Sequence, residues 1–167
     1  RHLDNAGHAV EVHLAFDAAR LTEGADNTVN FRILEKSGVR IVAPLAPHPP
    51  PPILGSTTPH TVVDALLGSG LSRPLGSPTI DWVRATRAGR ASVVALDIPT
   101  GLDAASGAIL GDAVRARQTI TFAAPKLGFQ RGSGPEVVGE VHVVDIGMPR
   151  AVRETADPGA PGDGPSR

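Results

Sequence analysis

The stretch Ser92-Val-Val-Ala-Leu-Asp97-Ile-Pro-Thr100-Gly-Leu-Asp103 decides the fold of this chain. Residues 93–96 form an unbroken apolar run, whereas a strand with one face in water would alternate polar and apolar residues. A continuous run is typical of a strand in a parallel sheet that is covered on both faces. Pro99 has no N–H to donate to a sheet, so we expect the strand to end near Asp97. The sequence therefore predicts a carboxylate at the carboxyl end of a buried strand, where open α/β sheets bind their ligands.

The segments around this strand alternate between strand and helix patterns, which predicts a parallel, three-layer α/β domain over residues 1–150. Residues 1–6 resemble the last turns of a helix that stops at Gly7. The Pro-rich segment 44–59 predicts a stiff connector, with a ligand for a proline-recognition domain as the alternative. The Gly- and Pro-rich segment 151–167 predicts a disordered tail. The predicted strands are 8–16, 39–43, 61–67, 118–123 and 139–146, and the predicted helices are 22–36 and 77–88.

Composition excludes several classes of function. A net charge of −1 over 167 residues provides no basic surface for nucleic acid. No apolar run approaches the roughly 20 residues that span a bilayer, and from the polar first residues we expect no signal peptide. The chain has no cysteine, which excludes disulfides and thiolate metal sites and favours a cytoplasmic protein.

A glycine-containing loop directly follows the predicted strand 61–67. Glycines at this position allow a tight turn whose N–H groups face an anion, and Arg73 can bind a phosphate with two parallel hydrogen bonds. The loop matches neither the Walker pattern nor Gly-x-Gly-x-x-Gly. We therefore predict a phosphate-binding loop, with a plain glycine turn and a surface arginine as the alternative. Its residues are Gly68, Ser69, Gly70, Leu71, Ser72, Arg73 and Pro74.

Charged and hydroxyl residues follow three of the predicted strands. Asp64 and Asp97 each end an apolar strand. If these strands are neighbours, two carboxylates converge on one crevice and need a cation, a shared proton or a cationic ligand. Carboxylate, hydroxyl and carbonyl oxygens suit a cation at Asp64 and Thr100. Lys126 follows the strand 118–123 and faces the same edge, with an ordinary surface lysine as the alternative. Asp103 is expected to cap the turn that follows it.

Four motifs, in this order along the chain, resemble the NAD(P)H-hydrate epimerase family (YjeF N-terminal domain). They occupy residues 63–74, 95–103, 119–126 and 144–149, and the resemblance extends over residues 1–149. Family members carry an Asn-Gly-Gly-Asp-Gly loop before the helix that residues 1–3 resemble. This loop and the strand before it do not occur in the sequence, so we expect an N-terminally truncated domain.

The resemblance implies a Rossmann-like αβα sandwich that interconverts the R and S epimers of hydrated NADH or NADPH. It implies that loop 68–74 and Asp97 bind this substrate, and that Asp64 and Thr100 ligate a potassium ion. The family commonly has serine where this chain has Thr100, and the hydroxyl is retained. We expect Asp97 to be the general acid or base, with Lys126 as a second catalytic candidate that stabilises charge.

The alternative function is a non-catalytic ligand- or protein-binding module, because relatives of this domain occur in binding proteins. The retained Asp64, Arg73, Asp97 and Thr100 favour the enzyme, whereas the absent glycine loop favours the module. A homodimer and an NAD(P)H-hydrate dehydratase are the protein partners that the resemblance leaves open.

Overall fold

A computed structural model of the chain describes residues 2–15, 25–42, 50 and 60–149. Segment 151–167, most of the proline-rich connector and the beginning of the predicted helix 22–36 lie outside these residues. In the described part of the chain, no helix is long and apolar enough to cross a membrane.

Helices and strands alternate along the chain, as the sequence predicts. The helices are α1 (His2–Asn5), α2 (Asp26–Lys36), α3 (Thr79–Ala85) and α4 (Gly134–Val137), with a 3₁₀ helix at Leu127–Gln130. The strands are β1 (Glu11–His13), β2 (Arg40–Val42), β3 (His60–Asp64), β4 (Ala91–Leu96), β5 (Gln118–Phe122) and β6 (Glu140–Val144).

Every pairing between the described strands is parallel, which confirms the predicted parallel α/β class. β1 pairs with β2 in a two-stranded sheet, and the other four strands form a second sheet in the order β3-β4-β5-β6. Because all four strands of this second sheet run in the same direction, their carboxyl ends lie along one edge.

One face of the four-stranded sheet carries the core. Val93 and Ala95 of β4 are 4% and 0% exposed and point to the same face, because side chains alternate along a strand. Ala95 pairs with Thr119, and Thr119 pairs with Val141, so all three residues share this face. Two apolar clusters cover it, one around α3 and one around α4 and the 3₁₀ helix. Their buried members are Leu75, Val83, Val93 and Val114 in the first and Ile98, Leu102, Phe129, Val137 and Val138 in the second.

The opposite face is covered less completely by the described residues than the apolar run in β4 predicts. Val94 and Leu96 are half-buried. Val63, which pairs with Val94, is 44% exposed. The continuous apolar run therefore placed β4 correctly in the middle of a parallel sheet, but the described residues bury only one of its faces fully.

Candidate functional site

Three neighbouring strands bring the predicted residues to one edge of the sheet. Asp64 is the last residue of β3, Asp97 directly follows β4, and Lys126 lies four residues beyond the end of β5. This edge is the carboxyl edge that the sequence predicts. The chain turns sharply here because Pro99 cannot continue the sheet.

Asp64 is buried and is bound by Thr100 at both of its carboxylate oxygens. The backbone N–H of Thr100 donates to Oδ2 at 2.8 Å, and its hydroxyl donates to Oδ1 at 2.8 Å. The N–H of Leu66 also donates to Oδ1, at 3.3 Å. Burial raises the pKa of Asp64, although these hydrogen bonds act in the opposite direction. Asp64 therefore joins the end of β3 to the turn that follows β4.

Asp97 forms an ion pair with Lys126. The distance from Nζ to Oδ1 is 2.8 Å, and the two side chains are 21% and 19% exposed. Partial burial alone raises the pKa of Asp97, but the hydrogen bond and charge of Lys126, together with Ser69, outweigh burial and leave it below its usual value. The site thus contains two carboxyl groups whose pKa values are shifted in opposite directions.

The backbone is unusual at the ends of β4 and β5. Asp97 and Ala123 have φ values of 66° and 65°, in the left-handed region that non-glycine residues rarely occupy. Such conformations concentrate at functional sites, where the surrounding structure holds them in place. The carboxylate of Asp97 is therefore presented from a strained turn.

Loop 68–74 approaches Asp97 through its first two residues. The N–H of Ser69 points at Oδ2 of Asp97, at 3.4 Å, and a Cβ on Gly68 would lie 3.4 Å from the same oxygen. The side chain of Leu71 packs against the core cluster around α3 and anchors the loop. Because Leu71 packs inward, it can reach a ligand only through its backbone.

The structure does not bring every predicted loop residue into contact with the acids. Ser72, Arg73 and Pro74 are exposed, and no described contact joins them to Asp64 or Asp97. The predicted role of Arg73 in binding phosphate therefore stays a prediction.

Thr121 is a site residue that the sequence analysis missed. It is fully buried in β5, and its hydroxyl points at Oδ1 of Asp97, at 3.5 Å. The sequence feature that could have indicated it is the pair of threonines, Thr119 and Thr121, on the buried face of a predicted strand.

Asp103 caps a turn as expected, because its Oδ1 accepts hydrogen bonds from Ala105 and Ser106.

The oxygens around Asp64 fit a hard cation. The Thr100 hydroxyl lies 2.8 Å from Oδ1 of Asp64 and 3.3 Å from the carbonyl oxygen of Leu67. Carboxylate, hydroxyl and carbonyl groups therefore converge, and such oxygen ligands suit hard cations. Among the described residues, no three side chains of His, Asp or Glu form a metal-binding cluster.

A cavity of about 390 Å³ lies at the opposite edge of the sheet, lined in part by Arg90, Arg115 and Arg117. These arginines precede β4 and β5 and are separated from the acids by the length of the strands. This cavity is not part of the predicted site.

Comparison with known proteins identifies the family. The family described as "YjeF-related protein N-terminus" matches residues 1–128. The chain belongs to this family. The family match agrees with the motifs at the ends of β3 and β4, which lie within the matched range.

The chain is similar to two named proteins, and it covers a different share of each. It is 38% identical to an NAD(P)H-hydrate epimerase of Rhodopirellula baltica, over 89% of this chain and 59% of that protein. It is 50% identical to a bifunctional NAD(P)H-hydrate repair enzyme Nnr of Salinibacter ruber, over 59% of this chain and 18% of that protein. The chain thus spans less than two thirds of the length of each.

A solved structure has the same fold. The crystal structure of a yeast protein matches 90% of this chain and 60% of that chain, with a TM-score of 0.67 and 18% sequence identity. The YjeF-related fold, compatible with the predicted Rossmann-like sandwich, is therefore confirmed.

Proposed function

We propose that the protein is an NAD(P)H-hydrate epimerase, an isomerase that interconverts the R and S epimers of hydrated NADH and NADPH in nicotinamide nucleotide repair. The observation that carries the proposal is the carboxylate of Asp97, bound by Lys126 beneath a glycine loop at the ligand-binding edge of the sheet. Membership of the family and the printed names of the relatives support it.

The reaction inverts the hydroxyl-bearing carbon C6 of the substrate, which must pass through a planar or ring-opened intermediate. Asp97 is the general base that accepts a proton from the substrate and the general acid that returns it, so the reaction has no net redox change. Its lowered pKa keeps the carboxylate ionised at neutral pH, as a base requires. Partial burial limits water at the reacting group and strengthens its electrostatic interactions.

Loop 68–74 binds the dinucleotide. Gly68 lets the loop approach Asp97 closely, since a Cβ there would lie 3.4 Å from Oδ2, and a Cβ at Gly70 would meet nothing within 4 Å. Arg73 is free of any described ion pair and can bind phosphate. An alanine at Arg73 would remove this charge. The matched control is Arg115→Ala, which removes another exposed arginine, from the opposite edge of the sheet.

Asp64 and Thr100 are the residues that would hold a potassium ion. When bound, the ion supplies positive charge beside a phosphate-bearing ligand. The convergence of oxygens around Thr100 supports this assignment, and burial of Asp64 supports it further, since a cation offsets the cost of an ionised buried carboxylate.

An NAD(P)H-hydrate dehydratase is the proposed functional partner, because relatives of this chain are named bifunctional NAD(P)H-hydrate repair enzymes. The substrate itself is a small molecule. A homodimer and a cytoplasmic location stay predictions from the sequence.

The deciding experiment adds one purified epimer of hydrated NADH to the protein and follows the appearance of the other epimer by chromatography. We expect equilibration much faster than in buffer alone, for the wild type and for Arg115→Ala, and slower equilibration for Arg73→Ala at low substrate concentration. Binding of the substrate without equilibration would instead identify a non-catalytic binding module.

A further inference from the structure

All three proton donors of the Lys126 ammonium group have an acceptor within the protein. Nζ lies 2.8 Å from Oδ1 of Asp97, 3.1 Å from the carbonyl oxygen of Phe122 and 3.3 Å from that of Ala124. An ammonium group carries three donors and no acceptor. Lys126 therefore has no donor left for a ligand, and it needs its full positive charge to make these contacts.

The three acceptors belong to the two strained turns. Phe122 and Ala124 flank Ala123, whose φ is 65°, and Asp97 itself has a φ of 66°. Lys126 thus binds the backbone on both sides of one left-handed residue and the side chain of the other. It joins the end of β5 to the end of β4 where both backbones are strained.

The two oxygens of the Asp97 carboxylate have different surroundings. Oδ1 contacts Lys126 at 2.8 Å and faces the Thr121 hydroxyl at 3.5 Å. Oδ2 faces loop 68–74, where the N–H of Ser69 donates a hydrogen bond at 3.4 Å; the hydroxyl of Ser69 also donates to this carboxylate. Oδ1 is therefore bound by the charged group of Lys126, whereas Oδ2 faces the loop and accepts from a neutral donor, the N–H of Ser69.

We propose that Lys126 is a positioning residue that fixes Oδ1 of Asp97 to the ends of β4 and β5, so that Oδ2 is the oxygen that exchanges a proton with the substrate. This inference rests on the proposed function, since it assigns roles within the same site. It replaces the direct catalytic role that the sequence analysis considered for Lys126.

The electrostatics of the site agree with this assignment. Although partial burial raises the pKa of Asp97, the hydrogen bond and charge of Lys126 lower it below its usual value. Among the described residues, Lys126 is the charged group in contact with Asp97; the loop and β5 contribute the neutral donors of Ser69 and Thr121. The other carboxylate at this edge, Asp64, is bound to Thr100.

The test compares Lys126→Met, which removes the charge and the donors, with Lys126→Arg, which keeps the charge. Lys36→Met is the matched control, because Lys36 is the other lysine of the sequence and is exposed at the end of α2. NMR titration of a ¹³C-labelled carboxyl group follows Asp97 directly and requires no catalysis. We expect the pKa of Asp97 to rise in Lys126→Met, to lie closer to the wild-type value in Lys126→Arg, and to stay unchanged in Lys36→Met.

Epimerase kinetics provide the second measurement. In Lys126→Met we expect kcat to fall about 10- to 100-fold at acidic pH, because this is the range for losing a hydrogen bond to a charged group. We expect KM to stay within about twofold of the wild-type value. The acidic limb of the pH profile should move to higher pH, so that activity recovers as the pH rises. An unchanged pKa of Asp97, or a loss of kcat that is equal at every pH, would overturn the proposal.

The two proposals can fail separately. If the wild type does not equilibrate the epimers, the proposed function is wrong, but the NMR titration still decides whether Lys126 controls the Asp97 carboxylate. If Lys126→Met does not fold, as judged by circular dichroism, Lys126→Gln replaces it in both measurements.

Discussion

Thr100 binds both oxygens of the Asp64 carboxylate, one through its backbone N–H and one through its hydroxyl, each at 2.8 Å. The two residues are 36 positions apart in the sequence, and together they join the end of β3 to the turn after β4. A buried carboxylate in this position depends on its donors, because an ionised group without partners in the protein interior is costly.

Replacing Thr100 with valine should therefore destabilise the protein. The change preserves the shape of the side chain but removes the hydroxyl donor to a buried carboxylate, which costs about 1–3 kcal/mol. Urea unfolding would measure the loss. Thr86→Val is the matched control, because that buried hydroxyl, directly after the end of α3, donates to the carbonyl of Val83 and its loss should cost less than about 1 kcal/mol. Equal losses in the two variants would contradict the importance of the Asp64 pair.

The two carboxylates at the sheet edge should affect stability in opposite directions as pH changes. Burial raises the pKa of Asp64 in the folded state above 3.8, the usual value for an aspartate. The folded state therefore binds more protons than the unfolded chain, and the stability that Asp64 contributes is lost as the pH rises from 3.8 through the raised pKa. The stability that Asp97 contributes through its lowered pKa is present above 3.8 and is lost as the pH falls through the lowered value.

Unfolding free energies from pH 3 to 7, in potassium-free buffer, would check both signs. We expect the advantage of the wild type over Asp64→Asn to shrink as the pH rises, and its advantage over Asp97→Asn to grow. If the stability of both variants relative to the wild type changed with pH in the same direction, the opposite pKa shifts of Asp64 and Asp97 would be contradicted.

Asp97→Asn should abolish most of the epimerase activity. An amide cannot accept the proton, and loss of a general acid or base costs about 10²- to 10⁴-fold in rate. The rate of epimer equilibration measures the loss. Asp103→Asn is the control, since Asp103 caps an exposed turn through an oxygen that an asparagine retains, and its rate should stay within about twofold of the wild type.

Gly101 should not tolerate a side chain. Its φ is 99°, and a Cβ at this position would overlap the backbone carbonyl of Asp112. Gly101→Ala should destabilise the protein by more than about 1 kcal/mol, because a left-handed backbone is strained for alanine and the neighbouring segment must move. Gly70→Ala is the control: nothing lies within 4 Å of the added Cβ, so thermal unfolding should change little.

Potassium should stabilise the wild type more than sodium does at equal ionic strength. An ion that binds only the folded state raises the free energy of unfolding by RT ln(1 + c/Kd), where c is the free ion concentration. The thermal midpoint in potassium chloride and in sodium chloride measures this difference. We expect Thr100→Val to lose it and Thr86→Val to keep it, whereas an equal response to both salts in the wild type would refute the cation site.

The elements that the sequence predicted best are those with a strong local pattern. The apolar run before Asp97 correctly predicted a central parallel strand, and Gly7 correctly predicted the end of α1. The 3₁₀ helix at Leu127–Gln130 and α4 were missed, because four residues are too few to show helical periodicity. The strand predicted over 61–67 ends at Asp64, since Leu66 and Leu67 turn to bond Asp64 and Thr100.

The sequence by itself determined that acids end two strands of a parallel sheet and that a glycine loop follows one of them. Side-chain periodicity and the missing N–H of proline are local properties, so they can be inferred from neighbouring residues. Only the tertiary structure decided that Asp64 pairs with Thr100 and Asp97 with Lys126, and that their pKa values shift in opposite directions. Those outcomes depend on burial and on distances between segments that are far apart in the chain, which no local pattern contains.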